Sequence, residues 1–591
     1  MFVKRYLHFY ALSVLIIALQ LAIYGFGSIL SNSCVNLHNI VYLVRCVTDG
    51  LLLSLPVLIL SPRYKRLGWI LIWLMTLFVI VQMMYFQTYE DVMPFTSFIM
   101  FENLDLVLFR SAIASFNLSQ AVVLAFPIIG MVIYYKFISK KLKQEPNNWR
   151  LNRVIISLVM LFSVFLVLFQ SWNNYRQEKG RTTNSYWGRY TETRGSVCYF
   201  NLNGFVPYLI YNICATLNED SQISENDKRE IKRFLKKNNC AGDNESQLFS
   251  NNNKNLILII VESLNSWVIG QKIDGREVCP NLNSYCKLDG SLVALRMQPQ
   301  VKDGRSSDGH FMYNVGLLPL RDGVTTVLRG DVKYPSLAKA LKGYKAVDIN
   351  CDSQNMWNQM EFGKNIGFKK IYHCTKIQEM LKQEDSWIKD AEMFKASEKI
   401  LSKLEQPFYA QLVTIAMHQP YTTLIVPPTC ISKSNEYTQE VRNYLETVHY
   451  FDNSLGKFIE SIKKMGIYDN SVIAILSDHN ELDLNKVEGR AEKQAGDSDC
   501  AFVVLNAGTT IEYKDIIGQI DVYPTLIDVM GANDYSWKGV GNSILRTPKV
   551  ASAAINSEKI VGNVNLSLVK KQRKAWKICD KIIRYRYFNI N

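Results

Sequence analysis

Asn255-Leu256-Ile257-Leu258-Ile259-Ile260-Val261 decides the fold. Six consecutive leucine or β-branched side chains leave no polar face, so the run predicts a strand buried from both sides, as in a parallel sheet covered by helices. Comparable runs recur at Ser291–Met297, Lys345–Ile349, Tyr409–Ile415, Val472–Leu476 and Ala501–Leu505. Helical patterns stand between or after them, at Ser336–Leu341, Ala391–Leu404, Thr438–Lys464 and Val522–Met530. Strands alternating with helices predict an α/β domain with a mostly parallel central sheet. In such sheets the reactive residues gather beyond the carboxyl ends of the strands. Glu262, His418 and the pair Asp478-His479 all follow strand runs in that way.

A second stretch supplies a nucleophile. Lys302-Asp303-Gly304-Arg305-Ser306-Ser307-Asp308-Gly309-His310 lies between the strand run ending at Met297 and a helix-like run, Phe311–Leu318. Glycines permit a tight bend, and a helix N-terminus offers N–H groups and positive potential to an anion. Ser-Ser-Asp before a helix is also the composition of an ordinary N-cap. From these residues alone both readings, nucleophile and cap, stay open.

Glu262, Ser306, Asp478 and His479 together form a mixed oxygen and nitrogen donor set. That set suits one divalent ion, Mn²⁺, Zn²⁺ or Mg²⁺, and lacks the thiolates of a structural zinc site. Such an ion favours the deprotonated serine and neutralises a phosphate oxygen, so covalent attack through a phosphoserine becomes feasible. His418, in Ala416-Met417-His418-Gln419, is placed to bind the departing or entering group or to move its proton.

The first 172 of the 591 residues are far more apolar than the remainder. Five stretches, Tyr6–Leu30, Leu37–Leu60, Leu67–Tyr89, Gln120–Phe137 and Val154–Phe169, predict membrane-spanning helices, which take about 20 residues each. Lys4 and Arg5, then Arg63, Lys65 and Arg66, then Lys136, Lys140, Lys141, Lys143 and Arg150 fall in alternate loops. The excess of basic residues on one side puts the N-terminus in the cytoplasm and everything after the fifth span outside. Within the second span Arg45 and Asp49 stand one helical turn apart, close enough to pair. Asp91–Phe116 reads as an outer segment lying in the membrane interface or as a packed connector.

The expected organisation is therefore a transmembrane domain over 1–171, a polar linker over 172–250, an extracytoplasmic catalytic domain over 251–548 and a basic tail over 549–591. Ser224–Lys237 predicts a helix in the linker, and Lys581–Phe588 an edge strand in the tail. The tail's Lys570, Lys571, Arg573 and Lys574 form a solvated face or a contact for anionic lipid. A net charge of +14 does not mark a nucleic-acid partner, because much of it flanks apolar spans or sits in this tail and no nucleic-acid motif accompanies it. Twelve cysteines fit an oxidising exterior, with Cys279 and Cys286 placed to close a local loop.

These motifs resemble the lipoteichoic acid synthase family of the alkaline phosphatase and sulfatase superfamily. The likeness rests on Asn255–Ser263, Gly304-Arg305-Ser306-Ser307-Asp308, His418, Ser477-Asp478-His479 and Gln519-Ile520-Asp521-Val522-Tyr523-Pro524-Thr525-Leu526, with Gly531 and Gly539 after it. It implies a metal site, usually holding Mn²⁺, and transfer of phosphoglycerol from a phosphatidylglycerol-like donor to a glycan or lipid acceptor. Three positions depart from the family pattern. Ser306 stands for threonine at the position where the resemblance places the nucleophile, which implies Ser307 with Asp308 as the cap behind it. In the stretch Asn350-Cys351-Asp352-Ser353-Gln354-Asn355-Met356-Trp357-Asn358-Gln359, Trp357 is kept. Asn350 and Gln359 stand where a His and an Arg help hold the glycerol phosphate. A neutral Gln cannot reproduce the bidentate grip of Arg, so phosphoethanolamine or another phospho-head group stays open. A hydrolase using water as acceptor and a non-catalytic polymer-binding protein are the alternatives. A true sulfatase is disfavoured, because Ser306 and Ser307 are followed by Asp308 and Gly309, not by a Cys/Ser-x-Pro-x-Arg element.

Overall fold

The computed structural model describes residues 3–25, 37–60, 65–89, 92–93, 116–138, 149–178, 204–217, 223–239 and 251–590. Within the last range 252, 274, 322, 354–355, 384–387, 420, 429–436, 481–498, 533, 547–548, 557–558 and 564–565 are excluded. The chain divides into two compact units, Met1–Glu219 and Asp220–Asn591.

The first unit is helical. Its elements are α1 (Val3–Tyr24), α2 (Leu37–Leu53), α3 (Leu55–Leu60), α4 (Lys65–Tyr89), α5 (Leu118–Ile133), α6 (Trp149–Glu178) and α7 (Phe205–Leu217). Two 21-residue segments, Arg66–Phe86 and Leu118–Ile138, are long and apolar enough to cross a membrane, and His8–Tyr24 and Ser157–Phe169 are shorter apolar helices. The expected span Leu37–Leu60 is broken between α2 and α3, where Pro56 enters; proline suits the first turn of a new helix and cannot continue an old one. Most of the expected interfacial segment Asp91–Phe116 lies outside the described residues.

Asp49 does more than sit one turn from Arg45. Its buried carboxylate accepts the backbone N–H groups of Phe205 at 2.7 Å and Val206 at 3.3 Å, which caps the N-terminus of α7. Gly204 precedes that helix with φ +97°, and a Cβ there would stand 2.8 Å from Asp49 Oδ2. Helix α7 thus belongs to the first unit, although the sequence reading assigned it to the linker.

The second unit opens with α8 (Glu225–Asn239), close to the helix expected at Ser224–Lys237. Its main sheet contains β1 (Asn255–Val261), β2 (Leu292–Gln298), β3 (Lys345–Asn350), β4 (Lys370–Tyr372), β5 (Phe408–Val413), β6 (Ser471–Ser477), β7 (Cys500–Leu505), β8 (Ile511–Tyr513) and β9 (Ile517–Gly518). The strand order is β8-β2-β7-β6-β1-β5-β3-β4, with β9 also paired to β2. Only the pairings of β7, with β2 and with β6, are antiparallel among these strands.

Alternation along β1 explains why its sequence is apolar throughout. Leu256, Leu258 and Ile260 enter one core cluster while Ile257, Ile259 and Val261 enter another on the opposite face. All six are fully buried, and each such side chain stabilises by roughly 1.5–3 kcal/mol. The helices that matter below are α9 (Ser306–Val315), α10 (Gln359–Ile366), α11 (Asp390–Leu401), α12 (Gln439–Lys464), α13 (Val522–Val529) and α14 (Leu566–Arg584).

Three expectations need correction. Lys581–Phe588 is not an edge strand: Lys581–Arg584 complete α14, whose Val569, Trp576, Cys579, Ile582 and Ile583 are buried at helical spacing. The basic tail is also part of the fold, since Lys581 pairs with Asp227 at 2.6 Å and Glu230 at 2.9 Å, and Lys574 pairs with Glu230 at 3.2 Å. Cys279 and Cys286 are free thiols flanking the helix Pro280–Tyr285. Seven residues along a helix span on the order of 10 Å, beyond the roughly 7 Å that a disulfide bridges.

Candidate active site

The register of the sheet assembles the site. Val261 pairs with Ser477, and Ile260 with Val413, while Val413 also pairs with Asn350. Residues one step beyond these partners therefore crowd a single edge: Glu262 after β1, Asp478-His479 after β6, Thr414 after β5, and the segment from Asn350 after β3. Glu262, Asp478 and His479 are all buried, and each offers a donor atom within 4.8 Å of the others.

Their orientations are fixed by neighbours. Asp478 Oδ1 accepts from the backbone N–H of Ser263 at 2.8 Å and of His479 at 2.7 Å, which leaves Oδ2 facing His479 Nε2 at 3.6 Å. Glu262 Oε1 accepts from the Ser263 hydroxyl at 2.9 Å and lies 3.5 Å from His479 Nε2. The Glu262 N–H donates to Thr414 Oγ1 at 3.1 Å. His479 Nδ1 donates to the Asn480 carbonyl at 2.8 Å, which turns Nε2 toward the two carboxylates.

Ser306 is the first residue of α9, half-buried, with Oγ 3.3 Å from Glu262 Oε2 and 3.3 Å from His479 Nε2. The helix begins five residues before the expected Phe311. Its cap also differs from expectation. Ser307 Oγ accepts from Thr326 Oγ1 at 3.2 Å. The Asp308 carboxylate, pushed up to about 7 by burial, reaches back to the N–H groups of Lys302 at 2.8 Å and Gly304 at 3.1 Å. Asp308 thus fastens the loop that delivers Ser306. Arg305, immediately before it, has φ +42°, a region that non-glycine residues seldom adopt and that clusters at functional sites.

The donor set fits a divalent ion. Burial, and then the neighbouring Asp478, push the Glu262 carboxyl well above its ordinary range. Two ionised carboxylates cannot share so dry a site without a cation to offset their desolvation and repulsion. Oxygen donors with one imidazole suit Mn²⁺, Mg²⁺ or Zn²⁺.

Other expected residues fall at the same edge. His418, past β5, is half-buried with Nδ1 2.5 Å from the Gln419 carbonyl. Trp357 is half-buried with φ +53°, and Asn358 repeats that φ; two successive left-handed residues hold the indole in a strained presentation. Asn350 and Gln359 differ from both, because they are buried and bonded to each other, Asn350 Nδ2 to Gln359 Oε1 at 3.3 Å.

Several supporting residues escape a sequence reading. Gln519 Nε2 donates to the Asp478 carbonyl at 2.6 Å and to Tyr313 Oη at 2.7 Å, and Tyr313 in turn donates to the Ser477 carbonyl at 2.5 Å. Ser263, Thr414 and Tyr313 carry no chemical motif of their own. Gln519 opens one of the segments that carry the family resemblance, and that resemblance is the available signal.

The sequence and the fold have counterparts in known proteins. Residues 254–532 match the Sulfatase family model. Over this range the chain is similar to the sulfatases. Lipoteichoic acid synthase of Staphylococcus saprophyticus is 31% identical over 363 residues, covering 57% of this chain and 55% of that protein. The Staphylococcus aureus (strain USA300) lipoteichoic acid synthase is 30% identical over 362 residues, with the same coverage of 57% and 55%. The chain spans about half the length of the curated relatives it matches. In fold it resembles the integral membrane protein lipooligosaccharide phosphoethanolamine transferase A of Neisseria meningitidis, with a TM-score of 0.53 at 13% identity, over 90% of this chain and 96% of that one. Glu262, Ser306, Asp478 and His479 all lie within the matched range 254–532.

Proposed function

We propose that this protein is a membrane-anchored, metal-dependent transferase that moves a phospho-head group from a phospholipid to an extracytoplasmic glycan or lipid acceptor. The observation that carries this reading is Ser306 Oγ, 3.3 Å from both Glu262 Oε2 and His479 Nε2, inside a buried donor set at adjacent strand ends. Glu262, Asp478 and His479, with Ser306, would hold one divalent ion, Mn²⁺ foremost and Zn²⁺ or Mg²⁺ as alternatives. Such an ion lowers the pKa of a bound hydroxyl and offsets charge on a phosphate oxygen.

The chain's own groups perform the remaining work. Ser306 Oγ attacks phosphorus, its proton passing to an acceptor at Oγ such as Glu262 Oε2. The bond from phosphorus to the diacylglycerol oxygen breaks, and that oxygen takes up a proton as it leaves. The acceptor hydroxyl then attacks the phosphoserine, and the Ser306 oxygen departs and regains a proton. His418 Nε2 is assigned the proton exchanged with the leaving and entering groups. Trp357 is assigned the head group.

The membrane anchor is part of the same proposal: five spans, N-terminus cytoplasmic, sulfatase domain outside. It is supported by the two long apolar helices, the two shorter ones and the alternation of basic loops. No Arg stands at position 359 to grip a phosphate, which leaves phosphoethanolamine open as the head group, so donor vesicles of phosphatidylglycerol and of phosphatidylethanolamine are the pair to compare. Incubation with either should yield a phosphoserine adduct on Ser306 and a phosphodiester-linked acceptor. Ser306→Ala should yield neither, and full activity in that variant would exclude the assignment. Free head group as the sole product would identify a hydrolase.

A further inference from the structure

We infer that Asn350, Gln359 and His310 are positioning residues that seat the Ser306 helix, not contacts to the transferred head group. This rests on the transferase reading for the lipid substrate but not for the geometry. Six buried residues close a ring of hydrogen bonds through five side-chain links and the His310 carbonyl. Gln359 Nε2 donates to His310 Nδ1 at 3.3 Å, and Gln359 Oε1 accepts from Asn350 Nδ2 at 3.3 Å. Asn350 Nδ2 also donates to Asp348 Oδ2 at 3.0 Å, and Asp348 Oδ1 accepts from Gln411 Nε2 at 2.9 Å. Gln411 Oε1 accepts from Asn314 Nδ2 at 2.6 Å, and Asn314 Nδ2 returns to the His310 carbonyl at 3.0 Å.

The ring joins four elements. His310 and Asn314 belong to α9, Asp348 and Asn350 to β3, Gln411 to β5 and Gln359 to α10. His310 lies four residues after Ser306, on the same helix face one turn behind the nucleophile. Both ends of the Gln359 amide are engaged, as are both donors of Asn350. Burial lowers the His310 pKa to about 4, so the imidazole is neutral and Nδ1 is free to accept. The cavity bounded by Ser307, His310, Asp348, Gln359 and Gln411 has about 10 Å³, space for one water and not for a phospho-head group. A head group could reach Gln359 only by breaking the ring.

Two substrates separate positioning from contact: donor lipid in phosphatidylglycerol or phosphatidylethanolamine vesicles, and the headless ester bis(p-nitrophenyl) phosphate, both with the full chain and Mn²⁺. Misplacing Ser306 slows both. Losing a head-group contact affects the lipid alone. Gln359→Ala and His310→Ala should lower kcat on both substrates, on the order of 100-fold, the scale of a roughly 1 Å misplacement, with lipid KM changed less than about twofold on the same scale. His310→Asn, whose Oδ1 replaces the Nδ1 acceptor, should restore most of the rate. Gln359→Met fills the same volume if the alanine variant fails to fold, and it should behave as the alanine variant does. A rise in lipid KM with ester kcat unchanged would overturn the inference, and so would tighter lipid binding by Gln359→Arg. Should the wild-type chain cleave the ester but neither lipid, the transferase reading fails while the ester rates of these variants still judge the ring.

Discussion

Gly309 offers a direct measure of how tightly Ser306 is held. It lies on α9 against the end of β6, and a Cβ built there stands 2.5 Å from the Asp478 carbonyl oxygen and 3.2 Å from its carbon and Cα. Ordinary Cβ contacts begin near 3.4 Å, so Gly309→Ala requires a retreat of about 0.9 Å between α9 and β6. The obstacle is backbone, pinned by Gln519 and carrying the donor pair Asp478-His479, so no side chain can swing aside. Overpacking of this kind costs about 1–3 kcal/mol of stability. It also moves Ser306 away from Glu262 and His479, and a shift near 1 Å costs on the order of 100-fold in rate. The assay is ester and lipid turnover beside the thermal midpoint and Mn²⁺ affinity of the full chain. The expected pattern is a large loss of kcat with Mn²⁺ binding weakened only modestly, since Glu262, Asp478 and His479 remain. Turnover within twofold of wild type, with no displacement of α9 in a structure of the variant, would refute the reasoning.

Glu262→Gln removes one carboxylate donor and should reduce Mn²⁺ affinity by more than the roughly 10–100-fold typical of outer-shell changes, measured by competition titration; unchanged affinity would remove Glu262 from the donor set. Asp390 accepts from the N–H groups of Ile415 and Ala416 at 2.9 and 3.0 Å, latching the segment that leads to His418, and burial pushes its carboxyl up to about 6. A raised folded value means the native state holds the proton more tightly. Stability is therefore fully present below the ordinary pKa near 4 and falls as pH rises to about 6, by roughly 3 kcal/mol for two pH units. Asp390→Asn should flatten that part of the thermal-midpoint profile, and an unaltered slope would reject the assignment. Asp49→Ala leaves the first two N–H groups of α7 without their acceptor and should lower the thermal stability of the detergent-solubilised chain by about 1–3 kcal/mol.

Much of the catalytic domain is legible in sequence because its strands are buried on both faces, which converts directly into runs such as Leu256–Val261. The order of the strands is not legible, because antiparallel β7 enters between β2 and β6 through pairings more than twenty residues distant. The donor residues could be named individually, since each follows a strand, but their convergence depends on the register Val261 to Ser477. Local pattern misled at the C-terminus. Ile582-Ile583-Arg584-Tyr585-Arg586-Tyr587-Phe588 has strand-like residues, yet the apolar stripe shared with Trp576 and Cys579 commits its first part to a helix. Asp308 was read forward, as a helix cap, when its carboxylate points backward to Lys302 and Gly304. The positions of Asn350 and Gln359 are visible in sequence, but their hydrogen-bond partners are not.

The pairing of β1 with β6 acts as a ruler. Neighbouring strands lie about 4.8 Å apart, and consecutive residues at their ends supply Glu262 from one and Asp478-His479 from the other. The spacing of the donors is thus written in backbone hydrogen bonds, not in the side chains that cover the sheet. Cores can drift and head-group contacts can be exchanged without resetting that spacing. A chain stripped of its ion by chelator keeps the ruler, so activity should return on adding Mn²⁺ without any refolding step.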